Sequence, residues 1–372
     1  MSKLKILELF AGIGACSKAL SRLGIEHEIV DAVEIDKYAI QSFNAIHGTD
    51  FEPQDITTWD KDLEVDLIMH GSPCQDFSLA GLQAGGDEGS GTRSSLMYET
   101  VRIVKKLKPK YVIWENVKNV ISKKHIHNFD KYINLMKDLG YTSYYQVLNA
   151  KDYGLPQNRE RVFTVSIRND LGKTLVFPEK QELKLKLKDI LEKDVDDKYY
   201  LSDKMIKYIS ARGTENYRNP DSRINLDIAR PITTDPNKRA GTTLLARDYK
   251  GFGNQEMNAV MYIKNNTKQG YLEAEEGDGV NIGSRMKYQR GNVQKEMAQT
   301  ITTSGGAERA VVEKGFRVRR LTPKECWRLM GFDDEDFEKA QAVPMSNTQL
   351  YKQAGNSIVV NVLEAILNNL LN

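Results

Sequence analysis

The chain has 372 residues, of which 40% are hydrophobic and 28% charged, as is typical of a globular protein. Its 53 basic and 51 acidic residues leave a net charge of only +2, which excludes a polycation that binds nucleic acid over its whole surface. The length predicts two domains, or one large core with an insertion. We see neither a signal-peptide pattern nor an apolar run near the roughly 18 residues that span a bilayer, so we expect a cytoplasmic protein without a membrane partner.

The three cysteines, Cys16, Cys74 and Cys326, are odd in number and widely spaced. Neither a disulfide framework nor a metal-binding cluster fits this spacing. We therefore expect a reducing compartment and no bound metal.

The first predicted strand, Lys5–Phe10, leads through a tight turn into a helix predicted over Ala15–Leu23. Gly12 and Gly14 in this turn let the backbone approach a ligand at a helix N-terminus. Ser17 stands where a dinucleotide fingerprint requires a third glycine, which disfavours a pyrophosphate site. In many α/β proteins such a turn serves only helix–strand packing, so both interpretations stay open.

The second predicted strand, Glu28–Val33, is followed by Glu34, which lies 20 residues beyond Gly14. An acidic residue at that spacing reaches ribose hydroxyls in nucleotide-binding folds. Asp55, in a later loop, could accept a hydrogen bond from an exocyclic amine. Each could also be a solvated carboxylate, since acidic residues are mostly exposed. Together with the glycine turn, the two carboxylates favour an adenosine-type ligand.

A third strand, predicted over Val65–Met69, leads into a loop that carries Pro73 and Cys74. Ligands bind at this edge of doubly wound sheets, although a free cysteine is more often a buried small hydrophobe. The glycine-rich stretch Gly81–Gly91 comes next in the chain and predicts a mobile lid. A helix is predicted over Leu96–Leu107.

The fourth strand, predicted over Lys110–Trp114, ends at Glu115, whose carboxyl could hold or deliver a proton. Arg159 and Arg161 precede a further strand, Val162–Ile167. Their guanidinium groups could clamp a phosphate or an oxygen acceptor. The alternatives are an ordinary strand-end carboxylate and surface ion-pair partners.

Strands and helices alternate up to about residue 170, which predicts an α/β fold with a doubly wound, mostly parallel sheet. We divide the chain into a first part of this domain (1–178), a charged linker (179–199), an inserted smaller, irregular β-rich domain (200–315) and a return to the first domain (316–372). The inserted segment has 18 Lys and Arg against 14 Asp and Glu, with interleaved Tyr, Asn and Gln. That composition suits contacts with nucleic-acid grooves and phosphates or, alternatively, a solvated loop-rich domain.

The tail returns to regular structure. A capped helix is predicted from Thr322 to Gly331, with Pro323 in its first turn. A polar turn, Gln353–Ser357, precedes an apolar helix over Ile358–Leu371, which we expect to pack on the first domain.

The ordered set of motifs resembles the bacterial and phage DNA (cytosine-5) methyltransferases. The matching motifs occur in that family's order within residues 6–167 and 317–371. They are Phe10-Ala11-Gly12-Ile13-Gly14, Pro73-Cys74-Gln75, Glu115-Asn116-Val117, Gln157-x-Arg159-x-Arg161, Arg320-Leu321-Thr322-Pro323 with Trp327–Phe332, and Gly355-Asn356-Ser357. The segment between the two blocks lies where the family carries its target-recognition domain, and Thr300-Ile301 before Gly305-Gly306 resembles a DNA-contact element of that domain.

The resemblance implies an S-adenosylmethionine-dependent enzyme that methylates C5 of a flipped-out cytosine in a short double-stranded DNA sequence. The residues that it assigns to S-adenosyl-L-methionine are Phe10, Gly12, Ile13, Gly14, Glu34, Ile35, Asp55, Ile56, Pro73, Leu96, Asn356 and Ile358. Those that it assigns to catalysis are Cys74, Glu115, Arg159 and Arg161. Those that it assigns to DNA contact are Gln75, Ser78, Thr300, Gly305 and Gly306.

In the implied reaction, the Cys74 thiolate attacks C6 of the base, because C5 alone is a poor nucleophile. Glu115 favours protonation at N3, Arg161 contacts the O2 side of the base, and Arg159 supports the loop. The cytosine has to leave the base stack first, which costs a few kcal/mol.

We expect a monomer that acts on double-stranded DNA, either beside a cognate restriction endonuclease in a restriction-modification system or as a solitary phage-type enzyme. A tRNA cytosine-5 methyltransferase shares these motifs, but the 116 residues of the 200–315 segment are long for a compact RNA-acting enzyme. A catalytically inactive DNA-binding relative is disfavoured by the intact Cys74, Glu115 and Arg161. A dinucleotide-dependent oxidoreductase is disfavoured by the missing third glycine.

Overall fold

In a computed structural model, the chain forms two compact units. The first unit contains Met1–Leu155, Arg159–Lys184 and Trp327–Asn372, and the second contains Pro156–Asn158 and Leu185–Cys326. The structure describes residues 3–73, 96–201, 261–264, 271–281, 292–301, 309–312 and 318–372.

Strands and helices alternate along the first part of the chain. In chain order, the described strands are β1 (Leu4–Leu9), β2 (His27–Val33), β3 (Leu67–His70), β4 (Tyr111–Val117), β5 (Tyr141–Asn149), β6 (Gln157–Asn158), β7 (Glu160–Arg168), β8 (Met261–Lys264), β9 (Tyr271–Ala274), β10 (Gly279–Asn281), β11 (Val293–Gln294), β12 (Ala298–Gln299), β13 (Arg309–Val312) and β14 (Val318–Arg320). The described α-helices are α1 (Ala15–Arg22), α2 (Lys37–His47), α3 (Met97–Leu107), α4 (Ile126–Asp138), α5 (Leu187–Ile190), α6 (Pro323–Arg328), α7 (Asp334–Ala342), α8 (Asn347–Asn356) and α9 (Val360–Leu371).

Within the described residues, six strands of the first unit form one sheet in the order β2-β1-β3-β4-β7-β5. β1 pairs in parallel with β2 and β3, and β3 pairs in parallel with β4. β7 pairs antiparallel with β4 and β5. The predicted α/β fold with a doubly wound, mostly parallel sheet is confirmed. The strand order reverses between β1 and β3, and ligands bind outside the carboxyl ends of strands at such a point.

Two segments differ from the predicted elements. Glu115 lies inside β4 rather than after it, because β4 keeps its pairing with β7 to its last residue. Gln353–Asn356, predicted as a polar turn, forms the last turn of α8. The Ser346 side chain caps that helix by accepting a hydrogen bond from the Gln349 N–H, so a local cap outweighs the turn-like composition.

The central strands of the first sheet are buried on both faces, as in parallel sheets covered by helices. Every residue of β3 is buried. Beside it, the rings of Trp114 and Tyr132 lie 4.4 Å apart, and the ring of His70 is stacked on Trp114 at 5.8 Å. Burial lowers the pKa of His70 to about 3, so this imidazole is neutral near pH 7. The close packing makes the carboxyl ends of β3 and β4 rigid.

The C-terminal helices pack on the first part of the chain, as predicted. Arg22 of α1 donates to the Gly331 carbonyl at 2.9 Å and pairs with Glu364 of α9 at 3.3 Å. Lys18, also in α1, lies 2.7 Å from Asp336 in α7. These contacts fix the helix that begins directly after the glycine turn.

The segment Asn347–Leu371 is long and apolar enough to cross a membrane, by length and composition alone, with a mean hydropathy of 1.2. More than half of it is buried in the protein, as in a core helix. The residues between α8 and α9 also interrupt it. It is therefore weak evidence for a membrane span.

In the second unit, the described part of the chain contains a sheet in the order β11-β10-β13-β14, a pair formed by β8 and β9, and a parallel pair formed by β12 and β6. Its core is a separate apolar cluster made of Ile263, Ala274, Val280, Ala310, Val312 and Val318. This unit is smaller and β-rich, in agreement with the predicted fold class.

A fully buried ion pair joins Arg319 and Glu325 in the second unit. Two guanidinium nitrogens of Arg319 each lie 2.8 Å from a carboxylate oxygen of Glu325. The backbone N–H groups of Thr322 and Glu192 donate to the same carboxylate at 2.7 and 2.8 Å. Bidentate pairing with further hydrogen bonds offsets the cost of burying two charges.

Candidate active site

The turn between β1 and α1 is built from left-handed backbone conformations. Phe10, Gly12 and Gly14 have φ values of +52°, +56° and +79°. A Cβ atom on Gly12 would meet no atom within 4 Å, whereas one on Gly14 would lie 2.1 Å from His47 Nε2. The backbone conformation thus favours glycine at both positions, and the packing of His47 excludes a side chain at Gly14. Open space remains above Gly12.

A buried carboxyl lies under the same turn. Glu8 Oε1 accepts hydrogen bonds from the Ser17 N–H at 3.0 Å and from the Ser17 hydroxyl. Burial raises the pKa of Glu8 to about 7, although both bonds from Ser17 act in the opposite direction. Glu8 therefore ties β1 to the first turns of α1. Sequence reasoning did not single it out, because an acidic residue in a short strand carries no motif signal.

Glu34 joins the end of β2 to the glycine turn. Its Oε2 atom accepts from the Gly12 N–H at 3.0 Å, and its Oε1 atom accepts from the Asp36 N–H at 2.9 Å. Burial raises the pKa of this carboxyl. The backbone carbonyl of Glu34 accepts from the Gln54 N–H at 2.8 Å, which brings the loop of Asp55 to the end of β2. The residues predicted to hold an adenosine-type ligand are thus brought together.

The loop after Gln54 and the segment after β2 contribute an acidic and two apolar residues to this end of the sheet. Asp55 is exposed, and its Oδ1 atom accepts from the N–H and the hydroxyl of Thr57 at 2.9 and 2.8 Å. Ile56 is buried, and Ile35, next to Glu34 in the chain, leaves 69% of its surface exposed. An exposed isoleucine beside two carboxylates offers an apolar surface within a polar rim.

Asp31 anchors that loop from below. Its carboxylate accepts hydrogen bonds from Trp59 Nε1, Lys61 Nζ and Gln54 Nε2 at 2.7 to 2.8 Å. Burial opposes ionisation of Asp31, but these three donors hold its pKa below the usual range. Sequence reasoning missed Asp31, because a single polar residue inside a predicted strand carries no functional signal.

The chain leaves β3 at His70 and is described as far as Pro73. Trp114 Nε1 donates to the Ser72 hydroxyl at 3.0 Å, and Asn116 Nδ2 donates to the Ser72 carbonyl at 3.3 Å. Cys74, Gln75 and Ser78 of the predicted nucleophile loop lie outside the described residues, as does the predicted lid. Leu96, the first residue of the next described segment, is half-buried against the core of the first unit.

Glu115 and Arg161 meet on the neighbouring strands β4 and β7. Arg161 Nε lies 3.1 Å from Glu115 Oε1, and both side chains are mostly buried. The N–H does not point along this line, so the contact is an ion pair and Oε1 has no aligned hydrogen bond. Gly71 lies beside the pair, because a Cβ atom on it would be 3.8 Å from Glu115 Oε2. The structure thus brings Glu115, Arg161 and the stem of the Cys74 loop together.

Arg159 is buried and points to the end of α8. Its guanidinium group donates to the carbonyls of Gly355 and Ser357 at 3.3 and 2.9 Å. A cation at the last carbonyls of a helix is favoured by the helix dipole. Ile358, just beyond, would lie 3.4 Å from a Cβ atom on Gly71, while Asn356 is exposed. Arg159 therefore supports the Gly-Asn-Ser segment.

α8 also contacts the first turns of α2. Lys352 Nζ lies 2.5 Å from Asp36 Oδ2, and Gln353 Nε2 donates to the Tyr38 carbonyl at 2.9 Å. The Ser42 hydroxyl donates to Gln353 Oε1 at 3.2 Å. These residues brace the segment that comes after Glu34. Sequence reasoning missed their role, since their partners lie more than 300 residues away in the chain.

In the second unit, Thr300 is tied to the short strand β6. Its hydroxyl donates to the Asn158 carbonyl at 2.7 Å, and the Ile301 N–H donates to Gln157 Oε1 at 3.1 Å. Gly305 and Gly306, predicted to contact DNA together with Thr300, lie outside the described residues.

Known proteins resemble this chain over its whole length. A family model described as C-5 cytosine-specific DNA methylase matches residues 4–372. Orphan methyltransferase M.SPRI of Bacillus phage SPR is 35% identical, and the alignment covers 100% of this chain and 98% of that protein. Type II methyltransferase M2.ScrFI of Lactococcus lactis subsp. cremoris is 33% identical, with 99% of each chain covered.

Two solved structures share the fold. A mutant of Spodoptera frugiperda DNMT2 superposes with a TM-score of 0.63 at 19% identity, and both chains are fully covered. A putative DNA modification methyltransferase encoded within a prophage of E. coli gives a TM-score of 0.60 at 20% identity, with 100% of this chain and 99% of the other covered.

Proposed function

Because the chain belongs to the C-5 cytosine-specific DNA methylase family, we propose that the groups at the carboxyl edge of its first sheet carry out that family's reaction. The chain is a DNA (cytosine-5-)-methyltransferase, which transfers a methyl group from S-adenosyl-L-methionine to C5 of cytosine. The ligand site, the nucleophile and the groups that contact the base can each be assigned to residues of this chain.

S-adenosyl-L-methionine fits the turn between β1 and α1. The open space above Gly12 lets the backbone approach the ligand. Each oxygen of Glu34 accepts one backbone hydrogen bond and keeps a second acceptor position for a ribose hydroxyl. The exposed side chain of Ile35 offers an apolar surface to the adenine ring, and Asp55 offers an acceptor to its amine. When bound, the ligand supplies an electrophilic methyl group on a sulfonium.

Cys74 is the proposed nucleophile. Its thiolate forms a bond to C6, and the electrons of the C5–C6 double bond then attack the methyl group from C5. A base removes the C5 proton, the double bond is restored, and the thiolate leaves. This assignment rests on the family motif and on the position of Cys74 in the chain, two residues after the buried Ser72.

The observation that carries the proposal is the pair of Glu115 and Arg161 beside Gly71. Glu115 hydrogen-bonds the base and favours protonation at N3 as the thiolate adds, so that negative charge does not accumulate on the ring. Arg161 fixes the carboxyl by its 3.1 Å ion pair and has further N–H donors for O2 of the base. Glu115 Oε1, which lacks an aligned hydrogen bond, can accept one from the exocyclic amine.

Arg159 acts at a distance from the base in this scheme. Its bonds to Gly355 and Ser357 hold the segment of Asn356 and Ile358, which completes the pocket for S-adenosyl-L-methionine together with Pro73 and Leu96. We therefore assign Arg159 to support of the site.

Double-stranded DNA is the proposed substrate, and the 200–315 segment the proposed recognition domain, with its surplus of four basic residues (18 − 14). The DNA contacts proposed from the family resemblance are Gln75, Ser78, Thr300, Gly305 and Gly306. Since one relative is named an orphan and another a type II methyltransferase, the enzyme acts either alone or beside a cognate endonuclease. We propose a cytoplasmic monomer.

Bisulfite sequencing tests the proposed function directly. The chain is expressed in a host without cytosine methylation, and the DNA of that host is sequenced after conversion. Protected cytosines confined to one short motif are expected. If the protein binds S-adenosyl-L-methionine but no cytosine in DNA is protected, the DNA substrate is wrong, and labelled methyl transfer to tRNA is the next assay.

A further inference from the structure

Contacts between β4 and the chain that follows β3 continue beyond the last paired residues. The last backbone partners are His70 and Trp114, so Ser72 stands opposite Asn116 in the same register. Ser72 lies outside the strand, yet Asn116 donates to its carbonyl and Trp114 donates to its hydroxyl. Side chains of β4 thus hold the chain after β3, which forms the stem of the Cys74 loop.

The bond between Trp114 and Ser72 is buried and has little room to rearrange. Trp114 is 1% exposed and Ser72 is 4% exposed. His70 is stacked on the indole with 2° between the ring planes, and Tyr132 packs beside it. The indole has a single N–H donor and no acceptor, so the Ser72 hydroxyl is what satisfies this buried group.

The same stretch of β4 also carries Glu115. Side chains alternate along a strand, so Trp114 and Asn116 share one face and Glu115 lies on the other. Gly71, next to Ser72, lies beside the Glu115 carboxylate. Three consecutive residues of β4 therefore set both the stem of the loop and the carboxyl that faces the base.

We infer that Trp114 and Ser72 are positioning residues of the reaction: their hydrogen bond sets the place from which the chain continues to Cys74, relative to Glu115. The inference rests on the proposed function. Removal of the bond slows the addition of the thiolate to C6 more than it weakens the binding of S-adenosyl-L-methionine, because only Pro73 of the residues proposed for that ligand adjoins Ser72 in the chain.

The test is a double-mutant cycle with Ser72→Ala, Trp114→Phe and the double variant. Single-turnover methyl transfer is measured with a DNA duplex that contains the target motif. A second duplex carries 5-fluorocytosine at the target, where the covalent adduct accumulates because no proton can leave C5. Ser72→Ala is expected to slow both reactions by about tenfold or more, since small misplacements of reacting groups cost up to about a hundredfold.

The double variant is expected to be no slower than the slower single variant, because both changes remove one bond. Ser72→Thr keeps the hydroxyl and is expected to retain most of the rate. Trp327→Phe is the matched control, since Trp327 is likewise a fully buried tryptophan whose Nε1 donates a hydrogen bond, to the Leu350 carbonyl of α8. It is expected to lower Tm without slowing adduct formation by the folded enzyme.

An unchanged rate in Ser72→Ala overturns the inference, as do additive losses in the double variant or a loss in Trp327→Phe of equal size. If the unmutated enzyme forms neither product nor adduct, the proposed function fails and takes the inference with it. If the unmutated enzyme forms product and adduct and the Ser72→Ala variant reacts at the same rate, only the inference fails.

Discussion

At the end of the site proposed to hold S-adenosyl-L-methionine (the ligand end), the backbone makes the main contribution: Gly12 and Gly14 adopt left-handed conformations, and Glu34 accepts hydrogen bonds from main-chain N–H groups. At the other end, which is proposed to carry the nucleophile (the nucleophile end), side chains from separate segments contact one another. Glu115 forms an ion pair with Arg161, and Trp114 donates a hydrogen bond to Ser72. The geometry of the ligand end depends on residues that can adopt left-handed backbone conformations. The geometry of the nucleophile end depends on contacts between side chains of separate segments. The two ends should therefore respond differently to substitution.

The largest expected effect comes from a substitution at the nucleophile end that leaves the ligand end intact. Cys74→Ala removes the proposed nucleophile and is expected to abolish methyl transfer, because C5 of cytosine does not react without addition at C6. Binding of S-adenosyl-L-methionine, measured by calorimetry, should stay close to that of the unmutated enzyme. A loss of binding in this variant would contradict the division of roles. Cys326→Ala, at a buried cysteine of the second unit, is the control for the loss of a thiol.

The two glycines of the turn give the second largest effect. Gly14→Ala places a Cβ atom 2.1 Å from the His47 ring at a φ of +79°, so strain and overpacking add to about 3 kcal/mol or more of lost stability. Gly12→Ala meets no atom at a φ of +56° and should cost about 1 to 2 kcal/mol. Urea unfolding of both variants checks the difference. Equal losses would show that packing against His47 does not matter.

Arg159 and Arg161 belong to one sequence motif but act at different ends of the site, so substitutions of the two residues test the comparison. Arg159→Met leaves two carbonyls at the end of α8 without their buried donor, which should cost about 1 to 3 kcal/mol and raise the KM for S-adenosyl-L-methionine. Arg161→Met should leave that KM unchanged and lower kcat, because its partner is Glu115. Steady-state kinetics at saturating DNA separates the two outcomes. A drop in kcat alone for both variants would assign both arginines to the base.

The sequence predicted the first sheet and the glycine turn better than the contacts between distant segments at either end of the site. Alternating β and α patterns are local, and a glycine turn before a helix is recognisable without knowledge of the fold. The hydrogen-bond partners of Arg159 lie 196 and 198 residues away in the chain. Ser72 and Trp114 are separated by 42 residues. No local pattern specifies such pairs, which explains why Ser72, Asp31 and Lys352 were missed. The prediction of a turn at Gln353–Asn356 was wrong, because its polar composition was weighed without the helix that begins after the Ser346 cap.

The smallest expected effect is a pH dependence at the ligand end. Burial raises the pKa of Glu8 to about 7, above the value of 4.5 that applies to an exposed glutamate. The folded state therefore holds a proton that the unfolded state has already lost, so the contribution of Glu8 to stability falls as pH rises towards 7 and levels off above it. Between pH 6 and 8 the loss is about 1.4 kcal/mol, from one tenfold change in the proton-linked equilibrium. Glu8→Gln cannot ionise, so its free energy of unfolding should fall less over this range than that of the unmutated protein. Parallel curves for the two proteins would show that Glu8 does not change its protonation in this range.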